Sequence, residues 1–423
     1  MDTIFALSSG SPPSAIAIVR ISGGKAGSAL EALAGSLPSA RKASVRNLRS
    51  NSGDLLDRAL VLWLPGPSTA TGEDMVELHL HGSRAVVAAV ERSLDGMDGL
   101  RQAEAGEFTR RAFLNGRMDL AQTEGLADLL AAETELQRKA AVAMTGGALS
   151  QRLEEWLQRI LRASAQVEAA LDFDDEDDVA GLPASFGVEL TALADELETV
   201  LDAPRAERLR NGYRVVLAGP TNAGKSSLFN ALLADDAAIV SDIAGTTRDV
   251  LERSVAVRGV PFLLMDTAGL RTTSSDPIER TGMERSVAAM DRADLVVWLG
   301  SADDRPVGAL QVRAKADLPE HSADGAGLAV SSVSGEGVET LWMRLVENAT
   351  QALQAPNDLA VNDRQARWLG EASRGLREAS SLSDPILIAE ALRTVRTSFD
   401  AITGRATTED VLDTLFGRFC IGK

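Results

Sequence analysis

A glycine loop between an apolar run and a helical run constrains the fold of this chain more than any other feature. Apolar residues 215–218 lead into Gly219-Pro220-Thr221-Asn222-Ala223-Gly224-Lys225-Ser226-Ser227, and residues 228–233 follow with helical apolar spacing. The pattern G-x-x-x-x-G-K-S between a strand and a helix is typical of a phosphate-binding loop. Its glycines let backbone N–H groups face one phosphate cluster, and its lysine and serine can bind phosphate and Mg²⁺. We predict a nucleotide site at residues 219–227.

Length and charge set the wider limits. The chain has 423 residues, 45% of them hydrophobic and 25% charged, which is typical of about three globular domains. It shows no apolar run near roughly 18 residues and no basic leader, so we expect no membrane span and a cytoplasmic location. A single cysteine, Cys420, excludes an internal disulfide framework and any multi-cysteine zinc site.

A net charge of −18 argues against a broad electrostatic grip on nucleic acid, so any RNA contact is expected to be local or made through a partner. The noticeable basic cluster is Arg41, Lys42, Arg46 and Arg49, which we interpret as a solvated loop. The acidic run at residues 172–178 is either a solvated linker or a docking surface for a basic partner.

Hydrophobic periodicity divides the chain into four segments. Residues 1–118 read as an α/β unit, residues 119–210 as helical, residues 211–355 as alternating strands and helices, and residues 356–423 as helical again. Because helical segments flank the second α/β segment, we predict a multidomain fold in which a P-loop domain is inserted into a helical bundle domain. His79 and His81 share one face of a predicted strand, but two histidines without a third ligand favour packing over a metal site.

Two further segments complete the predicted nucleotide site. Asp266-Thr267-Ala268-Gly269 follows an apolar strand, where Asp266 can hold the Mg²⁺ shell and Gly269 can offer its N–H to a terminal phosphate. Thr247 lies in Gly245-Thr246-Thr247-Arg248-Asp249 and can close on Mg²⁺ when a γ-phosphate is present, which makes a switch. The order of Ser226, Thr247 and Asp266 resembles that of a Ras-like GTPase domain.

The predicted base-reading segment is Ala314-Lys315-Ala316-Asp317, where GTPases carry N-K-x-D. Asp317 can accept two hydrogen bonds from guanine, and Lys315 is expected to lie over the ring. Ala314 replaces the usual asparagine, so we expect guanine selectivity with weaker affinity. Backbone N–H groups of Ser331-Ser332-Val333 form the last predicted base contact. Leu270 stands where Ras-like enzymes have a water-positioning glutamine, so hydrolysis needs another group.

Motifs outside the generic GTPase signatures make the resemblance specific. They are Arg20-Ile21-Ser22-Gly23, Thr71-Gly72-Glu73-Asp74, Gly106-Glu107-Phe108-Thr109, Arg111-Ala112-Phe113-Leu114-Asn115, Asp119-Leu120-Ala121-Gln122, Gly245-Thr246-Thr247-Arg248-Asp249 and the terminal Phe419-Cys420-Ile421-Gly422-Lys423. With these motifs the chain resembles the tRNA uridine-modification GTPase family known as MnmE or TrmE, over nearly its full length.

The resemblance implies potassium-dependent GTP hydrolysis with G domains pairing across a homodimer. The implied K⁺ ligands are Asn222, Ser241, Ile243 and Thr246. The water-orienting carboxylate of the family maps onto Glu279. Residues 276–279 also read as a helix start with an N1 proline and a capping-box glutamate, so a structural role for Glu279 stays open.

The resemblance also implies that residues 1–118 bind a tetrahydrofolate derivative, 5-formyl- or methylene-tetrahydrofolate, and mediate dimerisation. Matching positions are Arg20, Glu77, Arg117, where lysine is common, and Lys423. Cys420 faces this site in the family and is a candidate for the modification chemistry, although a buried hydrophobic role is the simpler reading.

The implied partner is the FAD- and NADH-dependent protein MnmG (GidA), in a heterotetramer that installs a carboxymethylaminomethyl-type group at C5 of the wobble uridine, position 34, of certain tRNAs. The partner would make most of the tRNA contact. Two alternatives stay open: a GTP-regulated assembly factor without modification activity, and a folate-dependent transferase with a vestigial nucleotide site. The intact Lys225, Ser226, Thr247 and Asp266 weaken the second alternative.

Overall fold

The computed structural model describes residues 2–172, 182–235, 238–240, 252–267, 288–318, 327–353, 359–405, 409–417 and 419–422. Its strands are β1 (Thr3–Leu7), β2 (Ile16–Ser22), β3 (Ser44–Arg49), β4 (Leu55–Leu64), β5 (Met75–His81), β6 (Leu100–Gln102), β7 (Tyr213–Ala218), β8 (Ala238–Val240), β9 (Glu252–Val257), β10 (Val260–Asp266), β11 (Leu295–Trp298), β12 (Leu310–Ala314) and β13 (Leu328–Val330).

The helices of the described part are α1 (Ala26–Ala34), α2 (Arg84–Asp95), α3 (Glu107–Leu114), α4 (Leu120–Ala131), α5 (Glu135–Thr145), α6 (Ala148–Asp172), α7 (Phe186–Leu201), α8 (Ala206–Asn211), α9 (Lys225–Leu233), α10 (Val338–Leu353), α11 (Asp363–Ser381), α12 (Pro385–Thr403) and α13 (Glu409–Phe416). The chain divides into two compact units, one of residues 1–127 with 400–423 and one of residues 128–399. The multidomain α/β and helical fold class is confirmed.

The first unit contains a six-stranded sheet in the order β3-β4-β5-β2-β1-β6. Strand β5 alternates as predicted, with Val76, Leu78 and Leu80 buried and the two intervening residues, Glu77 and His79, facing outward. Helices α1 and α2 pack on the buried face through residues such as Leu30 and Val90. On the opposite face, the central strand β5 therefore carries polar side chains.

The basic cluster at residues 41–49 does not form a loop throughout. Arg46 and Arg49 lie on β3, the edge strand, which pairs antiparallel with β4. The interpretation as a solvated loop was wrong for these two residues because strand formation does not require an apolar run when only one side of the strand is paired.

The second unit contains a seven-stranded sheet in the order β13-β12-β11-β7-β10-β9-β8. The strands from β13 to β10 are parallel, and β9 and β8 are antiparallel. Strands β9 and β10 form a hairpin, with Arg258 and Gly259 in the turn at φ 50° and 80°. Two successive left-handed residues match the twist of a two-residue hairpin. The buried centre of the sheet is β7, whose carboxyl end carries the glycine loop.

The long helix α6 buries a stripe that includes Leu153, Trp156 and Ile160, as its three- and four-residue spacing predicts. Trp156 is 1% exposed and donates from Nε1 to Glu196 on α7 at 3.0 Å, which confirms its core role. Leu161 is exposed because it lies one position beyond the buried Ile160, and Leu171, near the end of α6, is exposed too.

Candidate functional site

The glycine loop connects β7 to α9, and three of its residues have positive φ angles. Gly219 and Gly224 have φ of 146° and 96°, and Asn222 has φ of 62°. A Cβ at Gly219 would lie 3.1 Å from the backbone of Leu299, so the close approach requires glycine. The first N–H groups of α9 have no partner within the helix and lie at this loop, which makes an anion site.

Lys225 is buried at the start of α9, with 7% exposure. Its Nζ donates to the carbonyl oxygens of Gly219 at 3.0 Å and Pro220 at 2.7 Å. These bonds place a full positive charge over the loop, where it can meet the phosphates of a nucleotide. The arrangement is the one that the sequence predicts for a phosphate-binding lysine.

Ser226 and Asp266 come together at the Mg²⁺ position that the sequence predicts. The Ser226 hydroxyl donates to Asp266 Oδ2 at 2.6 Å, and Asp266 ends β10, which runs parallel to β7. The Thr267 hydroxyl donates to the Leu217 carbonyl at 2.8 Å and fixes the end of β10 against β7. A hydroxyl and a carboxylate are hard oxygen donors of the kind that Mg²⁺ prefers, so this donor set fits the ion.

The base-reading segment lies against the glycine loop. Lys315, which follows β12 with φ of 61°, donates from Nζ to the Asn222 carbonyl at 2.9 Å. A Cβ added at Gly224 would lie 3.4 Å from the Cβ of Ala314, which is an ordinary van der Waals distance. The structure therefore places Ala314 beside the loop, where an asparagine side chain would reach the backbone.

Ser331 has a role that the sequence reasoning missed. It is fully buried, and its hydroxyl donates to Asp317 Oδ1 at 2.6 Å. The same Oγ accepts from the N–H groups of Val333 at 3.2 Å and Ser334 at 3.1 Å. Ser331 thus positions the Asp317 carboxylate and orders the loop that contains Ser332, and a serine directly after a buried strand was the available signal.

Eight predicted site residues lie outside the described residues. They are Ser241, Ile243, Thr246, Thr247, Ala268, Gly269, Glu279 and Lys423. Leu270 also lies outside them.

A second polar site lies on the outward face of the first sheet, where Arg20 on β2 is paired with Glu77 on β5. Arg20 Nε donates to Glu77 Oε1 at 2.9 Å, and Glu77 Oε2 lies 3.2 Å from His79 Nε2. Burial raises the pKa of Glu77, but the hydrogen bonds and charges of Arg20 and His79 outweigh it and lower the pKa overall. Glu77 is therefore an ionised acceptor beside a guanidinium.

The motifs around this face converge on the loop before β5. The Ser22 hydroxyl lies 2.7 Å from Thr71 Oγ1 and donates to Glu73 Oε2 at 2.8 Å, while Asn115 Nδ2 donates to the Thr71 carbonyl at 2.7 Å. Arg117 packs its aliphatic stem against this loop, 3.3 Å from the Cβ position of Gly72. Arg117 thus lies beside the loop that leads into β5, the strand that carries Glu77.

Arg111 and Glu107 on α3 extend the network, which the sequence reasoning did not assign to them. The buried guanidinium of Arg111 contacts Glu73 at 3.0 Å and Glu107 at 2.9 Å, and Arg101 contacts Glu107 at 2.6 Å. Burial raises the pKa of Glu107, but hydrogen bonds from Arg101, the backbone of Glu104 and Arg111 lower it to about 2.

The terminal tail joins the same unit. Ile421 forms an antiparallel bridge with Ala105, and Gly422, at φ of 94°, lies so close to β1 that a Cβ would meet the Leu7 carbonyl oxygen at 2.0 Å. β1 is the strand next to β2, which carries Arg20. Cys420 in this tail is exposed, so the reading of Cys420 as a buried hydrophobe was wrong.

The two histidines of β5 do not form a metal site. His79 contacts Glu77, whereas His81 Nδ1 lies 2.7 Å from Asp57 Oδ1. No cluster of three or more metal-ligating side chains occurs within the part of the chain that the structure describes.

The parallel sheet, the glycine loop with Lys225, the Ser226–Asp266 pair and Asp317 after β12 define a P-loop GTPase. A family model described as the MnmE helical domain matches residues 120–420, and one described as the GTP-binding protein TrmE N-terminus matches residues 3–117. The chain belongs to the MnmE (TrmE) family.

Curated relatives match along the whole chain. A protein of Erythrobacter litoralis is 59% identical over 424 residues, and one of Novosphingobium aromaticivorans is 54% identical over 440 residues; each match covers 100% of both chains. Both relatives are named tRNA modification GTPase MnmE. The solved G domain of the T. maritima FeoB iron transporter matches 32% of this chain and 98% of its own, at 25% identity and a TM-score of 0.23, and adds nothing to the argument.

None of the helices in the described ranges has both the length and the apolar character needed to cross a bilayer.

Proposed function

We propose that the protein is a potassium-dependent GTPase that drives addition of a carboxymethylaminomethyl-type group to C5 of the wobble uridine, position 34, of certain tRNAs. The observation that carries the proposal is the presence, in one chain, of the phosphate-binding loop and of the Arg20–Glu77 network beside the terminal tail. The names of the full-length relatives support the tRNA-modifying role.

The proposed GTP contacts comprise the loop, the end of β10 and the base-reading segment. They are Asn222, Ala223, Gly224, Lys225, Ser226, Ser227, Ser241, Thr246, Thr247, Asp266, Thr267, Ala268, Gly269, Lys315, Asp317, Ser331, Ser332 and Val333. Lys225 and the loop N–H groups bind the β- and γ-phosphates, while Asp317 accepts hydrogen bonds from guanine. Ser226 and Thr247 hold Mg²⁺, which neutralises phosphate charge when bound.

Asn222, Ser241, Ile243 and Thr246 are the proposed ligands of K⁺, which when bound supplies positive charge beside the transferred phosphoryl group. Asn222 supports this assignment: its side chain is exposed, and its amide has no hydrogen-bond partner among the described residues. Hydrolysis needs a group that orients water, because Leu270 cannot do so, and Glu279 is our candidate.

Arg20, Glu77, Arg117 and Lys423 are the proposed contacts of 5-formyl- or methylene-tetrahydrofolate, which when bound supplies a one-carbon unit. The fit rests on chemistry: guanidinium groups suit the carboxylates of folate, and the ionised Glu77 can accept hydrogen bonds from a pterin ring. Cys420, exposed in the tail, is the proposed reactive group of this site.

The proposed assembly is a homodimer through residues 1–118, with G domains at residues 211–355 that pair, and a heterotetramer with the FAD- and NADH-dependent MnmG (GidA). Residues 119–210 and 356–423 form the proposed helical domain. The net charge of −18 supports a division of labour in which the partner makes most of the tRNA contact. We place the protein in the cytoplasm.

Nucleoside analysis of tRNA from a deletion strain tests the proposal. The modified wobble uridine should disappear in the deletion, return with the wild-type chain, and stay absent with Lys225→Ala or Cys420→Ser. Unchanged tRNA nucleosides in the deletion strain, together with altered ribosome profiles, would instead support an assembly factor.

A further inference from the structure

Five exposed or half-exposed cations surround the edge strand of the first sheet, and we call this group the basic edge. It consists of Arg41, Lys42, Arg46, Arg49 and Arg58. Arg41 and Lys42 precede β3, Arg46 and Arg49 lie on it, and Arg58 lies on β4 opposite Asn47. From Ser44 to Arg49 the strand extends roughly 17 Å at about 3.3 Å per residue. Because side chains alternate between the faces of a strand, Arg46 lies on the face of the buried Leu48 and Arg58, opposite Asn47, lies on the other, so the charges flank both faces of this edge.

The basic edge differs from the arginines of the polar network around β2, β5 and α3. Arg20, Arg101 and Arg111 each contact a carboxylate at 2.6–3.0 Å. In the described part of the chain no carboxylate lies within 4.0 Å of the cationic group of any basic-edge residue. Five such cations lie together on neighbouring segments of a chain that has 61 acidic and 43 basic residues.

The two acidic residues near the basic edge in sequence are engaged elsewhere. Asp57 is buried. Its carboxylate accepts from the backbone N–H of His81 at 2.8 Å and lies 2.7 Å from Nδ1 of the same histidine. Asp54, in the turn between β3 and β4, accepts from the Ser52 hydroxyl at 2.7 Å. The sequence thus keeps carboxylates away from the guanidinium groups of this edge.

Backbone carbonyls hold three of the guanidinium groups in place. Arg41 donates to the carbonyls of Pro65 at 3.1 Å and Ser68 at 2.7 Å, Arg49 donates to that of Gly53 at 2.8 Å, and Arg46 donates to that of Val45 at 3.2 Å. Because a guanidinium has five N–H donors, each group keeps donors for an external anion. Partly fixed groups also lose less conformational entropy when they bind.

We propose that the basic edge binds the phosphodiester backbone of RNA, and, resting on the proposed function, that this RNA is the tRNA substrate. Cations spread over roughly 17 Å along an edge strand, on both of its faces, fit an extended chain of phosphates better than they fit a single small anion. Such contacts position the RNA without reading its sequence. This local surface is compatible with the overall negative charge, which repels RNA elsewhere.

A second explanation is that arginines on an edge strand prevent pairing with another strand. The two explanations predict different outcomes when the charges are removed. Edge protection predicts self-association of the variant with unchanged RNA binding, whereas our proposal predicts weaker RNA binding by a protein of unchanged oligomeric state.

The test uses the full chain, labelled tRNA and a salt titration. The variant carries Arg46→Gln, Arg49→Gln and Arg58→Gln. The matched control carries Arg84→Gln, Arg92→Gln and Arg162→Gln, which change the net charge equally at other exposed positions. We expect the variant, but not the control, to bind tRNA about tenfold or more weakly and to lose about 2–3 units of the slope of log affinity against log salt.

Three results would overturn the proposal. They are no tRNA binding by the wild-type chain, equal tRNA affinity of the variant and the control, or displacement of labelled tRNA by poly-glutamate of matched charge as effectively as by unlabelled tRNA. GTP hydrolysis and melting temperature of the variant report on folding and should match the wild type. Nucleoside analysis of the deletion strain tests the proposed function separately, so either idea can fail without the other.

Discussion

Lys315 Nζ donates to the carbonyl oxygen of Asn222 at 2.9 Å, although the two residues are 93 positions apart in the chain. This bond joins the base-reading segment to the phosphate-binding loop. Asn222 is also our proposed K⁺ ligand, so recognition of guanine and binding of the cation share one loop residue. The coupling gives the site a single geometry that depends on both segments.

Replacing Ala314 with asparagine should strengthen guanine nucleotide binding. Ala314 lies in contact distance of Gly224, where an amide can add one hydrogen bond to the loop. One such bond contributes about 1 kcal/mol, so GDP should bind about fivefold more tightly by calorimetry. Ala314→Leu, which adds similar bulk without an amide, should give no gain. Identical GDP affinities of Ala314→Asn and the wild type would contradict the prediction.

Ser226→Ala should reduce GTP hydrolysis by roughly a hundredfold, which is typical of losing one group that stabilises transition-state charge. The substitution removes the hydroxyl that donates to Asp266 and that we assign to Mg²⁺. Because one of the two proposed protein ligands is lost, half-maximal hydrolysis should also require a higher Mg²⁺ concentration than in the wild type. Thr199→Ala, a similar hydroxyl deletion on an exposed part of α7, is the control and should hydrolyse GTP at the wild-type rate. The assignment fails if both variants hydrolyse GTP equally well.

Acid should weaken the network around α3. The pKa of Glu107 is lowered from 4.5 to about 2, so the stabilisation is fully present above pH 4.5 and is lost as the pH falls toward 2. Hydrogen exchange of the α3 amides should accelerate over this range in the wild type.

In Glu107→Gln the same amides should exchange faster at pH 7, because Arg111 loses one of its carboxylate partners, and the pH dependence between 4.5 and 2 should shrink. Glu104→Gln, an exposed neighbour, serves as the control. A wild-type exchange rate at pH 7 in Glu107→Gln would show that the ion pair does not stabilise α3.

Arg20→Ala should weaken binding of 5-formyl-tetrahydrofolate by tenfold or more and raise the pKa of Glu77. Burial is the largest influence on Glu77, and without Arg20 only His79 opposes it. Arg20→Lys keeps the charge and should bind with intermediate affinity. If calorimetry finds the same folate affinity for all three proteins, Arg20 is not a ligand of folate.

The sequence predicted the second unit better than the first. The loop between β7 and α9 follows from residues 215–233 alone, because an apolar strand, two glycines and a helical pattern leave few alternatives. The short β1, β3 and β6 were missed, since few residues define a period and β3 carries two arginines among its six residues. Their pairing depends on neighbours that are distant in the chain.

The candidate sites show the same limit. Lys225, Ser226, Asp266 and Asp317 were identified because each follows a strand or begins a helix in a known pattern. The roles of Ser331 and Arg111 required three-dimensional contacts, with Asp317 at 2.6 Å and Glu73 at 3.0 Å, that no local pattern specifies. The family resemblance, rather than periodicity, suggested the role of Arg20.

The central claim is a GTPase whose hydrolysis depends on K⁺ bound through Asn222. The most direct measurement is the rate of GTP hydrolysis by the purified protein in potassium and in sodium at equal ionic strength, for the wild type and for Asn222→Ala. We predict at least tenfold faster hydrolysis in potassium for the wild type and slow, equal rates for the variant. Slow and equal rates in both salts for the wild type would contradict the account.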